Sequence, residues 1–326
     1  MVLHTPLCDL LGISVPIGNA GMAGGTAGPA LAAAVAEAGG LGGLGGIDRS
    51  GPEGLRARIR ETRERTARPF SVNLWVHLMP IAPAFLDVCI EERVPSITFS
   101  FGDPAPYVGR VHDAGILLLH QAQSVADARA AAAAGVDAII AQGGEAGGHS
   151  AGNVTTMAFV PAAVDVAGGI PVIATGGIAD GRGLVAALAL GAQAVIMGTR
   201  FVAADEATPS AHQHREKILA ATADDTIFTD AFDIVDGLPW PAGIAGRSIR
   251  TPFAEEWQGR SAELRAQREA ILGESTRAGE APERAQSAYA GQSAGLVTSV
   301  KPAAAIIRDI MAEAEAVLAR LARGGA

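Results

Sequence analysis

The stretch from Ser124 to Ser150, SVADARAAAAAGVDAIIAQGGEAGGHS, holds one full beat of this chain and the turn that ends it. Ser124-Val125-Ala126-Asp127 has the capping-box pattern that starts a helix, since its side-chain oxygens can take up the first unpaired amides. Gly135 supplies the expected helix stop. The apolar run Val136 to Ala141 reads as a buried strand, and it feeds Gln142-Gly143-Gly144-Glu145-Ala146-Gly147-Gly148-His149-Ser150. Glycines let a backbone approach a bound molecule closely, and an imidazole can move protons near neutral pH. Taken alone, a glycine-rich turn with a solvated histidine is the plainer alternative.

The beat recurs. Short apolar runs predict strands at Val15 to Ala20, Leu41 to Ile47, Phe70 to Trp75, Ser96 to Phe101 and Ile116 to His120, then at Ala138 to Ala141, Val172 to Thr175 and Ala194 to Met197. Alanine-rich helical patterns lie between them, such as Pro29 to Ala38, Pro52 to Thr66 and Gly181 to Leu190. Continuous apolar strands are buried on both faces, which implies a parallel sheet. Eight strand–helix units predict an α/β fold of the (β/α)8 TIM-barrel type, over an open doubly wound sheet. No Gly-x-Gly-x-x-Gly opens the first unit with an acidic residue about 20 positions on, which weakens a dinucleotide-binding sheet. After strand eight the pattern becomes helical and charge-mixed. We therefore expect a barrel built from 1–203 and 290–326, with a smaller, mostly helical lid from 204–289. A last helix is expected at Pro302 to Leu321.

A net charge of −9 argues against a nucleic-acid surface, which needs clustered Lys and Arg. The basic stretch Arg56 to Arg68 alternates with Glu61 and Glu64 and reads as a solvated helix face. Two cysteines, Cys8 and Cys89, fit a reducing cytoplasm and exclude a disulfide scaffold. Neither a signal-peptide pattern nor an uninterrupted apolar run of roughly 18 to 20 residues is present, so a soluble cytoplasmic protein without a membrane partner is expected. A homodimer is allowed.

In such barrels ligands bind at the C-terminal ends of the strands, and phosphates at the turns after strands seven and eight. Strand seven ends in Thr175-Gly176-Gly177-Ile178 and strand eight in Gly198-Thr199-Arg200. Their amides can form a phosphate nest, and Thr199 can add a hydroxyl. Strand one ends in Asn19-Ala20-Gly21-Met22-Ala23-Gly24-Gly25, a backbone free enough of side chains to lie against a flat ring. Asn73 ends strand three and offers a carboxamide to a polar ring edge, although it could equally cap its own turn; Gln142 reads the same way. His212 and His214, two apart on a helix, point to different faces, and neither HExxH nor a cysteine pair occurs, so no metal site is expected. Of the remaining histidines only His77, just past strand three, is placed to line a pocket.

These residues resemble the nitronate monooxygenase family, formerly 2-nitropropane dioxygenases, which are FMN-dependent TIM barrels. The resemblance rests on Gly21 to Gly25 with Leu31 to Gly43, Val72-Asn73-Leu74, Glu145 to His149, Ile173 to Leu190, Gly198 to Phe201 and Ala290-Gly291-Gln292. It implies His149 as the catalytic base. It implies Ala20, Gly21, Met22, Asn73, Gln121, Gln142, Gly147, Gly148, Gly176, Gly177, Gly198 and Thr199 as the FMN cradle. At Gln121 some relatives carry a lysine, and Gln292 is expected to close over the ring. The implied chemistry is oxidation of alkyl nitronates by FMN and dioxygen to a carbonyl compound and nitrite, with His149 needed most for neutral nitroalkanes. The same turn occurs in NAD(P)H-dependent flavin enoyl-acyl carrier protein and quinone reductases, the alternative. IMP dehydrogenase shares the phosphate turns, but its catalytic cysteine loop is missing. Substrate size is expected to depend on lid residues such as Trp240, Phe228 and Phe232.

Overall fold

The chain forms strands β1 (Ile17–Asn19), β2 (Gly42–Gly45), β3 (Phe70–Trp75), β4 (Ser96–Ser100), β5 (Leu117–Ala122) and β6 (Ala138–Gln142). They are followed by β7 (Gly148–Ser150), β8 (Val172–Thr175), β9 (Ala194–Met197), β10 (Thr226–Thr229) and β11 (Ala245–Ile249). The computed structural model describes residues 3–238, 240–274 and 281–324, without the side chains of 209, 210, 212 and 213. Eight strands pair in parallel in the order β1-β9-β8-β6-β5-β4-β3-β2. The bridge between Gly18 and Leu41 brings β1 and β2 together, so the eight predicted strands make a nearly closed TIM-type barrel.

Alternation along each strand divides the interior from the shell. Ile139 and Ala141 face outward into the main core, whereas Ala138 and Ile140 belong to an inner cluster with Leu119, Ile173, Ala194 and Ile196. The helix Pro6–Leu11 adds Leu7 and Leu11 to that inner cluster. Strands β3 and β4 depart from the continuous apolar reading. Val72, Leu74, Ile97 and Phe99 lie in the main core, while the intervening polar residues pair across the strands. Ser71 Oγ lies 2.8 Å from Thr98 Oγ1, and Asn73 Nδ2 donates to Ser100 Oγ at 2.9 Å. Each buried polar group is thereby matched. Phe99 is fully buried and meets the Tyr107 ring edge-on at 5.9 Å. Phe99→Ala is expected to cost about 3–5 kcal/mol, read as a lower urea midpoint at unchanged slope.

The helix after β5 runs Val125–Ala134, with Gly135 left-handed at its end. Its predicted capping box is only half made: Ser124 Oγ accepts from the Asp127 amide. The Asp127 carboxylate turns instead to the Gln123 amide and to His120 Nε2. The basic helix Gly51–Arg65 is knitted to the next unit, with Arg56 and Arg60 both on Glu92. The closing helix runs Ala303–Ala322. Among the described residues no helix is long and apolar enough to cross a membrane.

Between 204 and 289 lie helices Pro209–Ala220, Ala231–Asp236, Pro252–Trp257 and Ser261–Leu272. The same segment also holds β10 and β11, which the sequence reading did not separate. They form an antiparallel sheet in the order β10-β11-β7. Thus His149, read as part of a turn, is paired in β7 opposite Gly246. A second core of Phe232, Val235, Phe253, Trp257 and Leu264 belongs to this segment alone.

Candidate active site

A cavity of about 300 Å³ opens where the barrel strands end. His149 and all twelve candidate cradle residues line it: Ala20, Gly21, Met22, Asn73, Gln121, Gln142, Gly147, Gly148, Gly176, Gly177, Gly198 and Thr199. Their convergence follows from topology, because parallel strands present all their C-terminal turns at one end. Side-chain absence is enforced by neighbours at several of these positions. A Cβ at Gly21 would lie 2.6 Å from that of Asn73, and one at Gly147 would lie 2.4 Å from the Gly291 amide nitrogen. Gly176 and Gly177 have φ of +105° and +71°, where a side chain is strained. At Gly198 a Cβ would meet only Ala20 at 3.7 Å and Met22 at 3.8 Å, both lining residues, so it would fill cavity space.

This donor set suits a flat aromatic ring system bearing a phosphate. Gly176-Gly177 and Gly198-Thr199 follow the neighbouring strands β8 and β9, and the carboxamides of Asn73, Gln121 and Gln142 come from β3, β5 and β6. Thr199 Oγ1 accepts from the Gly291 amide at 2.9 Å, which leaves its own hydroxyl proton for a ligand. Gln121 Nε2 donates to Gln142 Oε1 at 3.0 Å, and Gln142 Nε2 donates to the His149 carbonyl at 3.1 Å. The two carboxamides therefore fix each other and the histidine backbone.

His149 is held on three sides. Its Nε2 lies 2.7 Å from Asp233 Oδ1, and the Tyr289 hydroxyl lies 3.4 Å from Nε2. The Trp240 ring stacks on the imidazole at 3.8 Å and 19°. Burial, followed by the Asp233 charge, pushes the Tyr289 phenol well above its ordinary value, so it stays a protonated donor. Trp240 also packs against Trp75 at 4.7 Å, Phe101 at 5.0 Å and His77 at 5.3 Å, forming an aromatic roof. Burial holds His77 below its usual value, hence neutral.

The structure corrects several expectations. His77 packs in the roof but does not line the cavity, whereas His214 does. Burial and nearby Lys217 lower His214, so it is neutral there; the side chain of His212 lies outside the described residues. The Gln292 side chain is exposed, and its amide donates to the Glu145 carbonyl, so the residue braces the histidine turn while Gly291 and Ser293 reach the cavity. Of the three aromatic residues expected to set substrate size, Trp240 alone lines the cavity; Phe232 is consumed by the second core. Phe228 packs beneath Arg247 and close to Gly152. Asp233 and Tyr289 went unnoticed in the sequence, since an isolated Asp and Tyr carry no local signal. Asp236, also at the cavity wall, adds a carboxyl raised by burial and then by the charge of Asp233.

Comparison with known proteins places this geometry. FabK from Thermotoga maritima aligns with a TM-score of 0.86 at 43% identity, covering 98% of this chain and 99% of that one. A nitroalkane oxidase from Streptomyces ansochromogenes aligns with a TM-score of 0.77 at 30% identity, covering 96% and 99%. The (3aS,4S,5R,7aS)-5-hydroxy-7a-methyl-1-oxo-octahydro-1H-indene-4-carboxyl-CoA dehydrogenase of Mycobacterium tuberculosis is 39% identical over 78% of this chain and 69% of that protein. A Staphylococcus aureus probable nitronate monooxygenase is 40% identical over 52% of this chain and 48% of its own length, so the match spans about half of that relative. A family model described as nitronate monooxygenase matches residues 4–87 and 82–313, which takes in the cavity, β7 and the closing segment. The barrel and its ring of glycine turns thus carry the mark of one enzyme group, and the chain belongs to the nitronate monooxygenase family of flavin-type oxidoreductases.

Proposed function

We propose that this oxidoreductase binds FMN and converts alkyl nitronates, and neutral nitroalkanes after loss of the α-proton, with dioxygen into carbonyl compounds and nitrite. The observation that carries this reading is the aromatic roof over His149: Trp240 stacks on the imidazole at 3.8 Å and closes its cavity with Trp75. So covered a base suits a small, compact substrate better than a long tethered chain. FMN would be held by Gly176, Gly177, Gly198 and Thr199 at its phosphate, and by Ala20, Gly21, Met22, Asn73, Gln121 and Gln142 around its ring. When bound, it supplies the electron-accepting and oxygen-activating chemistry.

The chain's own part is to exclude water and manage one proton. His149 takes the α-proton of a nitroalkane, and the electron pair of the broken C–H bond moves into the C–N bond, leaving a nitronate. A preformed nitronate needs no such step. The 204–289 segment acts as the lid that brings Trp240 over the base. Trp240→Ala is expected to raise kcat/KM for bulkier nitroalkanes relative to nitroethane by roughly tenfold, the scale of one or two kcal/mol of pocket contact. Steady-state oxygen uptake across a chain-length series would measure it.

An NAD(P)H-dependent FMN reductase acting on an enoyl thioester or quinone is the second reading. It is favoured by 43% identity to FabK across nearly the whole chain. The deciding experiment is an anaerobic absorbance titration of the purified flavoprotein with an alkyl nitronate, NADH and NADPH. Bleaching by nitronate alone supports the first reading. Bleaching only by a nicotinamide sinks it.

A further inference from the structure

We propose that Asp233, assisted by Tyr289, is a positioning residue that fixes the tautomer of His149 and makes Nδ1 its proton-accepting atom. The inference rests on His149 being the base. Asp233 is buried, 5% exposed, and its Oδ1 lies 2.7 Å from His149 Nε2. A carboxylate there can only accept, so Nε2 carries the hydrogen. Tyr289 donates to the same Oδ1 at 3.3 Å and contributes a hydroxyl to the charge that Asp233 keeps out of water. Among the described residues His149 makes its side-chain hydrogen bonds through Nε2, and the residue lines the cavity, which leaves Nδ1 for a ligand there. Trp240 clamps the plane of the ring.

These three supports come from other parts of the chain than the base. His149 stands in β7 beside the barrel, Asp233 on the helix Ala231–Asp236, and Tyr289 on the strand-like segment that returns to the barrel, bridged to Ser248. The oriented base is completed only when the inserted segment is seated. On proton transfer the α-carbon loses H⁺ to Nδ1, the C–H pair stays on the nitroalkane as nitronate, and the resulting imidazolium faces the Asp233 carboxylate. Among the described residues Asp236 is a further carboxyl near this pair, with Arg49 and Arg268 acting on it as countercharges.

The test is Asp233→Asn, read two ways in flavin-retaining protein. Two-bond 1H–15N spectra should show His149 protonated at Nε2 in the parent. In the variant, the amide can donate to Nε2 and move the hydrogen to Nδ1. In parallel, kcat/KM for neutral nitroethane should fall about 100-fold or more, chiefly in kcat, with a far smaller fall for ethyl nitronate. Tyr289→Phe should lose only about 2–10-fold, the worth of one neutral hydrogen bond, and Asp233→Glu should recover part of the loss. An unchanged tautomer together with parental nitroethane kinetics in Asp233→Asn overturns the inference. If that variant does not fold, the parent's own spectrum carries the test, and a neutral His149 with its hydrogen on Nδ1 overturns the inference. A His149→Ala protein with normal nitroethane turnover sinks the base reading separately, while the spectra still decide the tautomer.

Discussion

His149→Ala is expected to lower kcat/KM for neutral nitroalkanes by about 10²–10⁴-fold, the range of a lost general base. The effect should concentrate in kcat, because the imidazole acts on a proton in flight and contributes little to holding a small substrate. The nitronate supplied as its preformed anion has already lost that proton, so its turnover should fall far less. Truncation also frees the buried Asp233 carboxylate, which among the described residues keeps the Tyr289 hydroxyl at 3.3 Å. Some destabilisation should follow from this uncompensated charge. Flavin content by visible absorbance and the thermal midpoint would therefore be measured beside oxygen uptake with both substrates. Equal losses on nitroalkane and nitronate would contradict the assignment, since a base has no duty toward the anion.

Gly176→Ala is expected to strip the cofactor. Gly176 follows β8 with φ of +105°, a conformation that costs an L side chain about 1–3 kcal/mol. Its new methyl would lie 2.9 Å from the Gly143 carbonyl oxygen and 3.1 Å from Thr156 Oγ1. Those atoms belong to the framework of the histidine turn: Thr156 Oγ1 lies 2.8 Å from the Gly176 carbonyl oxygen and 3.0 Å from Glu145 Oε2, two acceptors that share its one hydrogen. The chain cannot relieve the contact by moving a flexible side-chain end, because the nearest obstacle is backbone. Either the turn after β8 shifts and its amides leave the phosphate, or the turn after β6 shifts and carries His149 with it. FMN affinity should fall roughly 5–150-fold, the range that 1–3 kcal/mol produces. Equilibrium dialysis of FMN against the variant measures this directly. Unchanged affinity would show that the phosphate lies elsewhere.

The barrel was legible because its signals are local. A run such as Ala138 to Gln142, a stop such as Gly135 and a glycine pair such as Gly176-Gly177 each report a conformation that neighbouring residues alone impose. Parallel pairing then carries every strand's C-terminal turn to one end, which is why the whole candidate cradle converges on one cavity. Strands β7, β10 and β11 were not legible. Gly148-His149-Ser150 has no strand propensity of its own, and it is extended because β11, about a hundred residues later, offers it hydrogen bonds.

The sequence by itself determined the barrel, the glycine turns and the histidine at their mouth, since backbone freedom and hydrophobic period are written residue by residue. Only the tertiary structure decided what surrounds that histidine. Asp233 reaches it across 84 positions and Tyr289 across 140, and Trp240 covers it from a loop with no pattern of its own. Such partners are chosen by how one packed unit docks on another, and docking leaves no periodicity in the chain that performs it.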